Sequence, residues 1–256
     1  MSYKNIFDTH AHYDDSWFNE DRADTLSFIK ENGVSEVINC GCDCDSSLTT
    51  LSLAEQYDFI YAALGVHPET DKDKILTDLD KIRPLYNNQK VVAVGEIGLD
   101  YHWDNSPREL QLEAFEKQLI LAKELSLPVI IHDREAHEDT LTILKKHKPN
   151  GVLHCFSGSV EMAKEVLKLG MYIGLGGVVT FKNARKSVEV AQMLPLDRLL
   201  LETDCPYMAP VPFRGKRCDS SLIAYTAEFI ADLKGINVQE LIDICNDNGK
   251  KLFNIK

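Results

Sequence analysis

Six residues able to ligate metal or move protons stand at the ends of apolar runs in this chain. His10 and His12 follow Ile6 and Phe7; Glu96 closes the run 91–94 and Gly95; His132 follows 128–131; His154 follows 151–153; Asp204 follows 199–203. Successive side chains of a strand alternate between faces, so His10 and His12 point the same way and can chelate one divalent ion. Alternation likewise puts Glu96 on the face of Val92 and Val94. Polar side chains ending hydrophobic strands are costly unless solvated, paired or bound to metal. Four histidines and two carboxylates exceed the needs of one tetrahedral ion and suit two ions about 3.5–4 Å apart. The expected division puts His10, His12 and Asp204 on one ion and His132 and His154 on the other, with Glu96 bridging. A water activated between the ions is the expected nucleophile, and Asp204 its proton acceptor. Glu202, two residues before Asp204, and Asp8, two before His10, are placed to orient ligand histidines, or else form a polar layer inside the fold.

The elements that must carry these residues follow from periodicity. Strands are predicted at 5–10, 34–40, 59–65, 91–97, 128–132, 151–155, 171–175 and 198–203. Helices are predicted at 21–32, 46–57, 72–86, 107–126, 137–147, 159–169, 183–193, 218–234 and 238–252. Gly33, Gly151 and Gly170 sit where helices should stop, and Ser159 and Asn183 where they should start. Eight strand–helix units in alternation predict a (β/α)8 TIM barrel, with a doubly wound open sheet as the alternative. In such barrels chemistry sits at the C-terminal strand ends, where all six residues fall. The whole chain, 1–256, reads as one barrel domain.

The chain has a net charge of −12, which argues against nonspecific coating of nucleic acid but not against a local grip on a few phosphates. Its seven cysteines are an odd number in a chain too large to need stapling, so reduced thiols and a cytoplasmic setting are expected. Cys40, Cys42 and Cys44 lack the C-x-x-C spacing of a metal site and read as small apolar fillers. No apolar run approaches membrane-spanning length, and residues 1–5 lead into the first strand without a signal-like segment.

Six motifs in order resemble the TatD family of metal-dependent hydrolases: Asp8-Thr-His-Ala-His, Gly65-Val-His-Pro, Gly95-Glu-Ile-Gly-Leu-Asp-Tyr, the stretch from Gln118 to His132, His154-Cys-Phe-Ser-Gly and Leu201-Glu-Thr-Asp-Cys-Pro. The resemblance runs from about residue 5 to 253. It implies an amidohydrolase-like barrel with divalent-metal deoxyribonuclease activity, often 3′-to-5′ exonucleolytic. It also implies metal binding at His10, His12, Glu96, His132, His154 and Asp204. One stretch departs: Arg214-Gly-Lys-Arg is followed by Cys218-Asp219-Ser220 where the family usually has Asn-Glu-Pro.

The expected substrate is DNA, as single strands or strand ends. Arg134, Lys182, Arg185, Lys186, Arg214, Lys216 and Arg217 should form a cationic collar for phosphates on the rim. His67 is a candidate substrate contact, or a histidine bonded within its own turn. Tyr101, His102 and Trp103 can stack on a base or pack as a lid. The competing readings are an ester or amide hydrolase, including a deacylase of aminoacyl-tRNA, and a metal-binding barrel without turnover. Magnesium or manganese is expected to support activity, and zinc or nickel is an alternative bound ion. A monomer is expected.

Overall fold

In the computed structural model, which describes residues 3–103 and 106–256, eight parallel strands form one sheet in sequence order. Met1 and Ser2 of the leading segment lie outside the described residues. The strands are β1 (Ile6–Ala11), β2 (Val34–Cys40), β3 (Ile60–Leu64), β4 (Val91–Asp100), β5 (Val129–Arg134), β6 (Gly151–Leu153), β7 (Tyr172–Leu175) and β8 (Leu199–Leu201). Helices α1 (Arg22–Glu31), α2 (Cys44–Gln56), α3 (Ile75–Ile82), α4 (Arg108–Leu125), α5 (His137–His147), α6 (Val160–Lys168), α7 (Arg185–Met193) and α8 (Ile223–Lys234) alternate with them, and α9 (Val238–Phe253) follows. The ring nearly closes. A bridge pairs Ala11 with Cys205, Asp204 N–H donates to the His10 carbonyl at 3.0 Å, and His12 N–H donates to Cys205 at 2.8 Å. The open-sheet alternative is thereby set aside.

Alternation along the strands sorts the core into two layers. Phe7, Ile38, Ala63, Val92, Ile130, Val152, Tyr172 and Leu200 fill the interior, which Leu252 and Phe253 at the end of α9 cap from below. The larger layer lies between strands and helices, with Val37, Leu64, Ile131, Ile173 and Leu201 against residues such as Phe115, Val166 and Ile230. Burying a side chain of this size stabilises by about 1.5–3 kcal/mol, so the two layers dominate the energetics of the fold.

Several local expectations need correction. Val94 packs in the outer layer, not on the face of Val92 and Glu96, because irregularities in the β3–β4 register between Val91 and Ala93 and in the β4–β5 register between Val94 and Ile97 reset the alternation on either side of it. Strands β4 and β5 run on to Asp100 and Arg134, whereas β8 stops at Leu201. Gly151 does not cap α5; Lys148 does, in the left-handed conformation. Gly151 instead opens β6, where a Cβ would stand 2.3 Å from the Val129 carbonyl oxygen. Ser159 caps α6 by accepting from Met162 N–H, but Ala184, not Asn183, occupies the cap position of α7. The helix expected from 218 begins at Ile223, after a 3-10 turn over Ser220–Leu222. Within that turn Asp219 accepts from Ser221 N–H, and the Ser220 hydroxyl donates to Asp8 at 2.7 Å. The residues that depart from the family pattern therefore tie the next helix back to β1.

Candidate metal centre

All six sequence-selected residues converge at the C-terminal end of the barrel, in two donor sets. In the first, Nε2 of His10, Nε2 of His12, Oε2 of Glu96 and Oδ1 of Asp204 stand 3.0–3.6 Å apart wherever a pair is in contact. Atoms about 2.1 Å from a tetrahedral ion are about 3.4 Å from each other, so this spacing is that of a coordination shell. In the second set Oε1 of Glu96 lies 3.0 Å from His132 Nδ1 and 2.7 Å from His154 Nε2, and the two nitrogens are 3.4 Å apart. Glu96 thus turns one carboxylate oxygen to each set. Four imidazole nitrogens and two carboxylates aimed inward suit divalent cations, and the donor chemistry fits the group.

Two of the four rings are tied by their outer nitrogen to an oxygen, and His154 Nδ1 is buried without a hydrogen-bond partner among the described residues. His12 Nδ1 lies 2.9 Å from the Cys40 carbonyl oxygen, and His132 Nε2 lies 2.9 Å from Asp100 Oδ2. Burial alone would push Asp100 up and His132 down. Against burial, His132 and the N–H groups of Trp103 and His102 hold the carboxyl down at about 2, while Asp100 and Glu96 hold the imidazole up at about 10. His10, fully buried and stacked at 3.8 Å on His154, is pushed down to about 4 by desolvation and so is neutral and able to ligate. Burial would raise Glu96, but His154, His67 and His10 together hold it well below the usual carboxylate range.

The sequence profile of the family described as TatD related DNase matches residues 7–254. The chain belongs to the TatD family. A metal-dependent hydrolase of Bacillus subtilis, YabD, is 46% identical over 98% of this chain and 99% of its own length. The "3'-5' ssDNA/RNA exonuclease TatD" of a Rahnella strain is 36% identical over 97% and 98% of the two chains. The crystal structure of YjjV, a TatD homologue of Escherichia coli, superposes with a TM-score of 0.92 at 35% identity, covering 98% of this chain and 99% of that one. This TatD-family protein is therefore a metal-dependent hydrolase on a TIM-barrel scaffold.

Two expected supports act differently in this TatD-family barrel. Asp8 touches no ligand ring. Its carboxylate accepts from His10 N–H, Thr203 N–H and the hydroxyls of Thr203 and Ser220, and so fixes the backbone where β1 meets the segment after β8. Glu202 accepts from Cys155 N–H and lies 3.9 Å from His154 Nδ1, beyond hydrogen-bonding reach. Burial pushes its carboxyl up to about 8. Asp100 was not singled out among the sequence candidates, although it stands in the quoted motif four residues after Glu96. Only the extension of β4 past 97 brings it beside His132. Asn39 is a second omission: it accepts from Tyr13 N–H and donates to Asp14 and Thr50, pinning the loop after His12.

His67 is buried and bonded within its own turn. Its Nδ1 accepts from Glu69 N–H within the turn, which leaves Nε2 as the protonated nitrogen, 3.4 Å from Glu96 Oε1. The expected collar is thinner than seven cations. Arg217 is bound to Asp21 at 2.6 and 2.8 Å, and Arg185 to Glu189 at 2.9 Å. Arg134 lies over the Trp103 ring and Arg214 over Phe181, both without a carboxylate partner among the described residues. Tyr101 packs, bonding Asp139 under Arg108, and His102 bonds Glu135, whereas Trp103 stays exposed. The seven cysteines are all free. Cys40 is a buried filler, but Cys42 is half-buried, 3.8 Å from Glu96 Oε2. Among the described residues no helix is long and apolar enough to cross a membrane.

Proposed function

We propose that the protein hydrolyses phosphodiester bonds at the ends of single-stranded DNA, from the 3′ end, using two divalent ions. The observation that carries the reading is the split carboxylate of Glu96, with one oxygen in each donor set, beneath a rim holding unpaired arginines. His10, His12 and Asp204 would hold one ion, His132 and His154 the other, and Glu96 both. Bound there, the ions supply an acidified water and draw charge from the phosphate. The chain's own groups do the rest. Asp204 has the side chain open to the mouth, 16% exposed against 4% for Glu96, and accepts the proton of the attacking water. His12, His10 and His154 outweigh its burial and keep it ionised for that role. His67 donates its Nε2 proton to a phosphate oxygen, and Arg134 and Arg214 hold the flanking phosphates. The name of the Rahnella relative supports the substrate class.

The test uses single-stranded DNA labelled at the 5′ or the 3′ end. The protein is stripped of metal and supplied with magnesium, manganese or zinc. Metal-dependent release of mononucleotides from the 3′ end, absent in Asp204→Asn, is the expected result. A folded protein that binds two ions yet releases nothing with any metal would move the reaction to a carbonyl ester or amide.

A further inference from the structure

The mouth of the barrel carries two large aromatic rings that the proposed hydrolysis does not use. Trp17 is 56% exposed and Tyr207 is 45% exposed. Each hangs on a turn that springs directly from the donor sets. Asp15 N–H donates to the His12 carbonyl at 3.1 Å, two residues before Trp17, and Tyr207 N–H donates to the Asp204 carbonyl at 3.0 Å. The ring centroids are 6.0 Å apart and the rings are tilted by 55°, so two neighbouring aromatic faces are offered side by side. Met208 and Val211, also exposed, follow Tyr207 in the same loop.

One carboxylate links the backbone of Trp17 to the side chain of Tyr207. Asp15 Oδ1 accepts from Trp17 N–H at 2.7 Å, and Asp15 Oδ2 accepts from the Tyr207 hydroxyl at 2.7 Å. Arg217 donates to the Trp17 carbonyl at 2.8 Å while it also bonds Asp21 and Thr25 and lies over the Phe18 ring. The arginine expected to grip phosphate is thus committed to Asp21 and to the backbone of the Trp17 turn. Exposed aromatic faces next to a proposed phosphodiester site match the face of a nucleobase, which stacks without regard to sequence.

We propose that Trp17 and Tyr207 form a stacking platform for a nucleobase of single-stranded nucleic acid, next to the phosphate held at the metal centre. The inference rests on the nuclease reading and adds to it the group that recognises the base. Stacking contributes about 1–3 kcal/mol per base, which predicts about a tenfold rise in KM on loss of either ring.

Two readouts test it, with a short oligothymidylate and an abasic oligomer of the same length. The first is tryptophan fluorescence, in EDTA and again in magnesium. The chain has two tryptophans, Trp17 and Trp103. Quenching by the thymidylate but not by the abasic oligomer, lost in Trp17→Phe, is expected. The second is turnover. Trp17→Ala and Tyr207→Ala should raise KM for the thymidylate about tenfold with little change in kcat, and leave the abasic oligomer unaffected; Tyr207→Phe, which keeps the ring, should be milder. The absence of base-dependent quenching in both conditions overturns the platform, as do equal KM losses on the two oligomers. Should the wild-type protein cleave neither oligomer, the nuclease reading fails, and the fluorescence still decides whether bases stack on Trp17.

Discussion

At the scale of single residues, the centre depends on groups that fix the ligands as much as on the ligands. Asp100 binds the outer nitrogen of His132 and so sets which nitrogen faces Glu96. Removing such a partner typically weakens metal affinity about 10- to 100-fold. Asp100→Asn should do so for one of two binding events in calorimetry and spare the other. Glu96→Ala removes the one side chain shared by both donor sets, and metal analysis should then find both occupancies reduced; retention of two full equivalents would refute the bridge. Asp8→Asn, by contrast, is expected to act on folding, since its carboxylate meets backbone N–H groups and hydroxyls of β1, the segment after β8 and the turn before α8. Its effect should appear as a lower thermal midpoint with metal affinity nearly retained.

At the scale of elements, the β4–β5 pair aims the second donor set. Gly98 pairs with His132 at a φ of +143°, and a Cβ there would stand 2.0 Å from the His132 carbonyl oxygen. Gly98→Ala should therefore cost about 2–3 kcal/mol, a fall of about 4–12 °C in thermal midpoint, and displace His132. Just beyond, Asp133 on β5 lies 2.7 Å from Nδ1 of His137 at the start of α5. That bond raises the histidine above its ordinary value, although burial and Lys186 oppose it. A raised folded-state value means the stabilisation is fully present below about pH 6.5 and fades as pH rises through the raised value. An NMR titration of His137 should show the shift, and Asp133→Asn should abolish it. The elements themselves were readable from the sequence, because eight apolar runs each ended in a polar or turn signal. Their irregularities were not. Gly95 and Gly98 hint at irregularity inside residues 91–100 but do not place the register changes on either side of Val94, so the outward Val94 does not follow from alternation, and the reach of Asp100 depends on a strand longer than the apolar run.

At the scale of the whole molecule, a charge of −12 means that the proposed nucleic-acid substrate would be met through few contacts. The ligand set could be read in advance because barrel topology sends every strand end to one face. The charges on the rim could not, because their partners are remote in sequence: Arg217 finds Asp21 across 196 positions. The two arginines of the 214–217 stretch consequently have opposite fates, and salt dependence separates them. Each phosphate contact on a single strand contributes about −0.7 to the slope of log affinity against log salt. Arg214, over the Phe181 ring and without a carboxylate partner among the described residues, should reduce that slope by about 0.7 when changed to Ala. Arg217→Ala should leave the slope unchanged, since its charge is already neutralised by Asp21, yet alter the emission of Trp17, whose carbonyl it holds. Oligonucleotide binding titrated across salt concentrations, with both variants side by side, distinguishes a cation that meets phosphate from one that braces the rim. Equal slopes for the wild-type protein and Arg214→Ala would remove Arg214 from the substrate path and leave Arg134 as the arginine to examine.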